Sequence, residues 1–281
     1  MTAAASDSRR VALVTGAGAG IGLATATRLA ADGCLVAVND LDAEAAERTA
    51  RRLGPDHAAV PGDVASERLA DAMVADVVAR YGRLDVLVNN AGIGDGAVPA
   101  LDQTAERFRR TLSVHVEGCF LMSRAAARAM IAPHSASRGG AIINLSSVAG
   151  HVATPNRIGY AAAKGAINMM TKVLACEWAT SGIRVNAVAP GYVRTDLVDG
   201  LIRSGKLDEE GIVSRTPMRR LARPDEIADV IAFLAGPHAS FMTGTVIPVD
   251  GGYLAFGAPF ETDELGVGFG QVDSLEMRQG K

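Results

Sequence analysis

Short unbroken apolar runs recur along the chain, and longer stretches between them alternate apolar and polar positions with helical period. Val11-Ala12-Leu13-Val14 and Leu35-Val36-Ala37-Val38 are clear examples of such runs. A strand buried on both faces reads as a continuous apolar segment, and strands alternating with helices imply a parallel sheet with right-handed crossovers. The pattern predicts strands over 11–15, 34–39, 58–60, 84–88, 141–146, 183–188 and 245–249. It predicts helices over 20–31, 42–53, 66–81, 104–131, 156–180 and 224–235. Pro224 with Asp225 and Glu226 marks a helix start, and Gly236 a stop. Residues 193–217 carry little strand signal and several charges, and read as a short helical lid over a substrate.

The expected fold is a single Rossmann-like, doubly wound α/β domain over 9–254, a seven-stranded parallel sheet with helices on both faces. Residues 1–8 read as a disordered leader, being small, polar and short of hydrophobics. Residues 255–281 read as a C-terminal extension. Its Leu265, Val267, Phe269, Val272 and Leu275 have no partner within so short a segment, which predicts a crossing onto a neighbouring subunit. A length of 281 residues is common for one α/β domain, and 48% apolar residues suffice for a large core. The net charge of -3 points away from nucleic acid and membrane surfaces, and no apolar run reaches spanning length. The basic pairs Arg51-Arg52 and Arg219-Arg220 read as solvated helix ends. Cys34, Cys119 and Cys176 lack metal-ligand spacing, and their odd number predicts reduced, buried thiols in the cytoplasm.

The first strand runs straight into Thr15-Gly16-Ala17-Gly18-Ala19-Gly20-Ile21-Gly22. Glycines let the backbone approach a pyrophosphate closely, and the helix that follows offers free N–H groups and a positive dipole end. Asp40 ends the second strand, where a carboxylate can bind both ribose hydroxyls of NAD and repel the extra phosphate of NADP. Neither Ala19 nor Leu41 offers that phosphate a cation. The competing reading of Asp40 is a cap for the helix over 42–53, a place for which Asp42 also stands.

Tyr160 and Lys164 lie one turn apart on one helix face. A phenol titrates near 10, and an ammonium beside it favours the phenolate. Such a phenol can take a proton from an alcohol while hydride leaves the carbinol carbon. Ser147, at the end of an apolar run, can hydrogen-bond the substrate oxygen as charge develops there. The residue types alone thus assemble a site for hydride transfer at an alcohol or ketone.

These motifs, with Asp63-Val64, Asn89-Asn90-Ala91-Gly92 and Pro190-Gly191 followed by Thr195, match in order and spacing across nearly all of 9–254. In them the chain resembles the short-chain dehydrogenase/reductase family, in its shorter and simplest type. The resemblance implies a cofactor site that includes Gly16, Ala19, Ile21, Asp40, Asp63, Val64, Asn90, Tyr160, Lys164, Val193 and Thr195. Within it, Asp63 and Val64 would touch adenine, Lys164 the nicotinamide ribose and Thr195 the carboxamide. It assigns Ser147 to polarising the substrate and Tyr160 to acid/base work, and implies a homotetramer built through the helices over 104–131 and 156–180. One position departs from the pattern. The family has asparagine in a Val-Asn setting where this chain reads Val114-His115. That asparagine holds a water linking the lysine to solvent, so His115 either joins the proton relay or packs as a buried histidine.

For the substrate, Val148, His151, Val152, Asn156, Tyr192, Leu197 and Leu201 are pocket candidates. His151 and Asn156 can hydrogen-bond a polar substrate or face water. No cluster of arginines marks a coenzyme A or phosphate handle in the sequence. The leading expectation is NAD-dependent oxidation of a secondary alcohol of polyol or hydroxy acid type. The alternatives are 3-oxoacyl reduction on a carrier protein, which usually draws on NADPH, and an NAD-binding protein without turnover.

Overall fold

A computed structural model of the chain describes residues 9–94, 96–132 and 139–257. The leader over 1–8 and the extension from 258 onward lie outside the described residues. Seven parallel strands form one sheet: β1 (Val11–Val14), β2 (Leu35–Val38), β3 (Ala58–Ala59), β4 (Val86–Asn89), β5 (Gly140–Leu145), β6 (Ile183–Pro190) and β7 (Val246–Val249). Their order is β3-β2-β1-β4-β5-β6-β7, so the chain reverses its direction of travel between β1 and β4. Ligands of open parallel sheets bind at such a switch point, beyond the carboxyl ends of the strands.

The predicted helices appear as α1 (Gly20–Ala31), α2 (Ala43–Leu53), α3 (Glu67–Tyr81), α6 (Ile158–Trp178) and α9 (Pro224–Ala235). Residues 193–217, expected to form a lid, contain two helices, α7 (Asp196–Arg203) and α8 (Glu209–Arg215). The helix expected over 104–131 is interrupted. It runs as α4 (Ala105–Leu112), a π-turn over Ser113–Glu117, and α5 (Gly118–Ile131). A π-turn inserts a residue into the helical register and re-aims its side chain, here His115.

The central strands divide their side chains between two cores. Val11, Leu13, Leu87, Ile142 and Val185 face α3, α5 and α6. Ala12, Val14, Val88 and Ile143 face α1 and α9. That two-sided burial is why the strands read as unbroken apolar runs. Side-chain caps fix where helices begin: Asp42 accepts from Ala45 N, Ser66 from Leu69 N and Thr104 from Arg107 N.

Two sequence expectations need correction here. Cys34 and Cys119 are buried, but Cys176 is exposed on α6. Arg219 does not end a helix; it sits in a turn at φ +57° after Met218. Arg220, its neighbour, pairs with Glu226 at 2.6 Å, because the turn delivers it to the first turn of α9. Among the described residues, no helix is long and apolar enough to cross a membrane.

Candidate active site

The glycine loop crosses from β1 to α1 at the switch point. Gly16 has φ +61°, and a Cβ there would meet Ala91 Cα at 2.8 Å. A Cβ on Gly22 would collide with the Gly16 carbonyl oxygen. The loop is therefore pressed against the Asn89-Asn90-Ala91-Gly92 segment, and only glycine fits both positions. Asn90 Nδ2 donates to the Thr15 and Gly16 carbonyls at 2.9 Å each, so its amide nitrogen holds the loop rather than facing a ligand. Gly20 and Ile21 open α1, with Ala19 extended and exposed just before them. A pyrophosphate fits this concave, side-chain-free backbone at a helix N-terminus.

Asp40 lies beside that loop, and its Oδ2 accepts from Gly18 N at 2.9 Å. Asp42, not Asp40, caps α2, which resolves the competition left open by the sequence. Asp63 caps its own turn by accepting from Ala65 N at 2.9 Å, and Val64 is buried against Gly118. Val193 is buried and bridges to Ala222, while Thr195 caps α7 and stands 3.4 Å from where a Gly20 Cβ would lie. These residues line one side of the crevice.

The other side is built by β5 and α6. Ser147 lies two residues past the end of β5 and accepts from Ala149 N at 3.2 Å, capping a short turn over Val148–Gly150. Tyr160 and Lys164 lie on the first turns of α6, with Lys164 Nζ 5.4 Å from the Tyr160 ring centroid. Lys164 is buried, and its Nζ donates to the Leu145 carbonyl at 2.6 Å, two residues before Ser147. Burial lowers its pKa to about 8, against a smaller opposing pull from Cys119. Burial also pushes the Cys119 thiol up to about 12.

A clamp that the sequence reading missed locks these two elements together. Ser146 Oγ donates to Asn168 Oδ1, and Asn168 Nδ2 donates to the Gly150 carbonyl at 3.1 Å. His151 Nε2 lies 3.4 Å from the same amide nitrogen. A second missed group lies deeper. Asn89 donates to Ser123 at 2.8 Å and to Asn144 at 2.9 Å, and Asn144 donates to Thr171 at 2.9 Å. Asn144 inside the apolar run Ile142-Ile143-Asn144-Leu145 was the available signal, since a buried amide in a central strand needs partners.

His115 is buried with Nε2 2.8 Å from the Ile93 carbonyl oxygen and 3.1 Å from Ile93 N. Its ring meets the edge of Tyr160, centroids 5.4 Å apart at 87°. The π-turn thus places the imidazole between the start of the 93–98 loop and the phenol. Asn156 has φ +65°, a left-handed conformation that asparagine tolerates better than most residues. Its carbonyl accepts from Val98 N at 2.8 Å, so backbone geometry alone accounts for asparagine here. Tyr192 is half-buried and stacks edge-on with Tyr253, centroids 5.9 Å apart.

A nucleotide-cradling switch point facing a Ser-Tyr-Lys set defines a nicotinamide-dependent oxidoreductase of Rossmann-like fold, and comparison with known proteins agrees. The family model described as enoyl-(acyl carrier protein) reductase matches residues 16–254. The chain belongs to the short-chain dehydrogenase/reductase family. It is 44% identical over 249 residues to cis-4-hydroxycyclohexanecarboxylate dehydrogenase of Sinomonas cyclohexanicum, covering 88% of this chain and 97% of that protein. It is 42% identical over 250 residues to an uncharacterized short-chain type dehydrogenase/reductase of Sinorhizobium fredii, covering 89% of this chain but 44% of that longer protein. The crystal structure of gox2181 superposes with a TM-score of 0.84 at 35% identity, covering 88% of this chain and 96% of that one.

Proposed function

We propose that the protein interconverts a secondary alcohol and its ketone with NAD as the partner. The single observation that carries this reading is the Tyr160–Lys164 pair, seated beside Ser147 and opposite the glycine loop. Tyr160 takes the hydroxyl proton of the substrate as the carbonyl forms, and Ser147 donates to the same oxygen. Lys164, held by Leu145, keeps positive charge under the phenol and so favours its phenolate. His115 orients the phenol through its edge contact and tethers Ile93. Gly16 to Ile21 would hold a nicotinamide dinucleotide, which would supply the acceptor for the carbinol hydride.

Asp40 supports NAD over NADP, because Asp42 relieves it of capping and leaves a carboxylate where the extra phosphate of NADP would sit. The same carboxylate disfavours the carrier-protein reductase reading. The name of the Sinomonas relative supports a hydroxy-substituted substrate. We further propose a homotetramer, supported by Phe120 on α5 and Met169 and Val173 on α6, all exposed on the helices expected to pair. The absence of disulfides among Cys34, Cys119 and Cys176 fits a cytoplasmic setting.

The test is a turnover screen of secondary alcohols with NAD and NADP, run beside Tyr160→Phe. Oxidation by the parent protein, lost in Tyr160→Phe while NAD still binds by calorimetry, is expected. Activity surviving in Tyr160→Phe would remove the assignment.

A further inference from the structure

Of the four tyrosines in the chain, three gather at the mouth of the site, and two arginines stand over them. Arg157 Cζ lies 4.8 Å from the Tyr160 ring centroid, and Arg215 Cζ lies 5.1 Å from that of Tyr253. Tyr253 in turn meets Tyr192 edge-on. The phenol of Tyr192 is pushed up chiefly by burial, with Tyr253 adding and Arg157 opposing, so the charge of Arg157, which stands over Tyr160, is also felt at Tyr192. The two arginines are far apart in sequence, which is why no basic cluster shows there.

The placement of Arg157 is enforced. It precedes α6 as the residue after the left-handed Asn156, whose carbonyl is tied to Val98. That turn brings a half-buried guanidinium back over the reacting phenol. Tuning of the phenol already has a source in Lys164, which approaches from the buried side. A guanidinium on the open side offers something an ammonium underneath does not: a planar fork of N–H donors, matched to a carboxylate. Neutral groups suited to a polyol are scarcer. His151 sits against Asn168, and Asn156 is explained by its backbone.

We propose that the substrate is a hydroxy carboxylate, with its carbinol at Ser147 and Tyr160 and its carboxylate received by Arg157, toward Tyr192 and Arg215. This rests on the dehydrogenase reading above and chooses the acid over the polyol. The carboxylate stands a few carbons from the carbinol, since Arg157 lies directly over the ring that touches the reacting oxygen.

Matched probes separate the possibilities. Oxidation of cis-4-hydroxycyclohexanecarboxylate is compared with cyclohexanol, and 3-hydroxybutyrate with 2-butanol, each as kcat/KM. The acid member of at least one pair should lead by about a hundredfold or more, mostly through KM, and Arg157→Met should collapse that ratio while Arg157→Lys keeps part of it. Cyclohexanecarboxylate cannot react, and its calorimetric binding to the NAD-loaded protein should be lost in Arg157→Met, with the thermal midpoint reporting that the variant folds. Equal use of acids and neutral alcohols would overturn the inference and leave the dehydrogenase reading standing. So would an Arg157→Met variant that shifts the pH profile of both classes alike, which marks a phenol-tuning role. No oxidation of any alcohol would remove both.

Discussion

Gly92 is pressed against His115: a Cβ at Gly92 would lie 2.5 Å from His115 Cε1 and 3.0 Å from Nδ1. The imidazole cannot retreat, because Nε2 is held at the Ile93 backbone on one side and the ring abuts Tyr160 on the other. Gly92→Ala should therefore overpack the site, costing about 1–3 kcal/mol. Thermal unfolding measures the loss. Gly92→Ala combined with His115→Ala should cost less than the sum of the two, since the second change removes the obstacle. Strict additivity would show that the clash is relaxed elsewhere.

His115 itself invites a paired substitution. Leucine fills similar space but cannot bond Ile93, whereas asparagine can. His115→Asn should keep most of the activity, and His115→Leu should lose at least tenfold in kcat with a lower thermal midpoint. If leucine keeps its rate and asparagine loses only stability, the histidine merely packs.

Asp40→Ala should chiefly relieve cofactor discrimination. A carboxylate facing a phosphate costs several kcal/mol, so the parent protein should favour NAD by a hundredfold or more in kcat/KM. The variant should bring the two cofactors within about tenfold, mainly by gaining NADP. Equal use of both cofactors by the parent protein would refute the assignment.

Lys164 gives a prediction in pH. Its folded-state pKa of about 8 lies below the ordinary 10.5, so the fold disfavours the ammonium. Below pH 8 both folded and unfolded chains carry the charge, and the folded chain bears the full penalty. Between pH 8 and 10.5 the unfolded chain holds the proton that the folded chain has released, so stability rises with pH. Lys164→Met should be inactive yet more stable at pH 7, by at most roughly 3 kcal/mol. Its advantage over the parent protein should shrink as pH climbs toward 10.5. Paired denaturation curves at pH 7 and 10 check this, and an advantage independent of pH would contradict it.

Much of this architecture was legible beforehand because parallel strands and amphipathic helices impose strong periods. The limits of α1 and α9 agree with expectation, since the glycine loop, Pro224 and Gly236 punctuate them. The π-turn was not legible: Ser113 to Glu117 has ordinary helical composition, and nothing in the local pattern marks the extra residue. The Ser147, Tyr160 and Lys164 set could be read because its chemistry is local to one helix and one strand end. The Asn168 clamp and the gathering of Arg157 and Arg215 with three tyrosines depend on tertiary approach between segments far apart in the chain. The sequence leaves Asn156 either bonding a polar substrate or facing water, and its φ of +65° adds a backbone reason for the residue.

Asp40 and Asp42 divide two duties that one carboxylate could have held. Asp42 secures α2, while Asp40, proposed to meet the ribose, accepts from Gly18 N and from Asp42 N and so braces the loop on either side of it. A change at position 40 then alters cofactor preference without uncapping α2, at the cost of the contacts to Gly18 N and Asp42 N alone. The arrangement makes this corner of the molecule evolvable, a property of how the labour is shared rather than of any single contact.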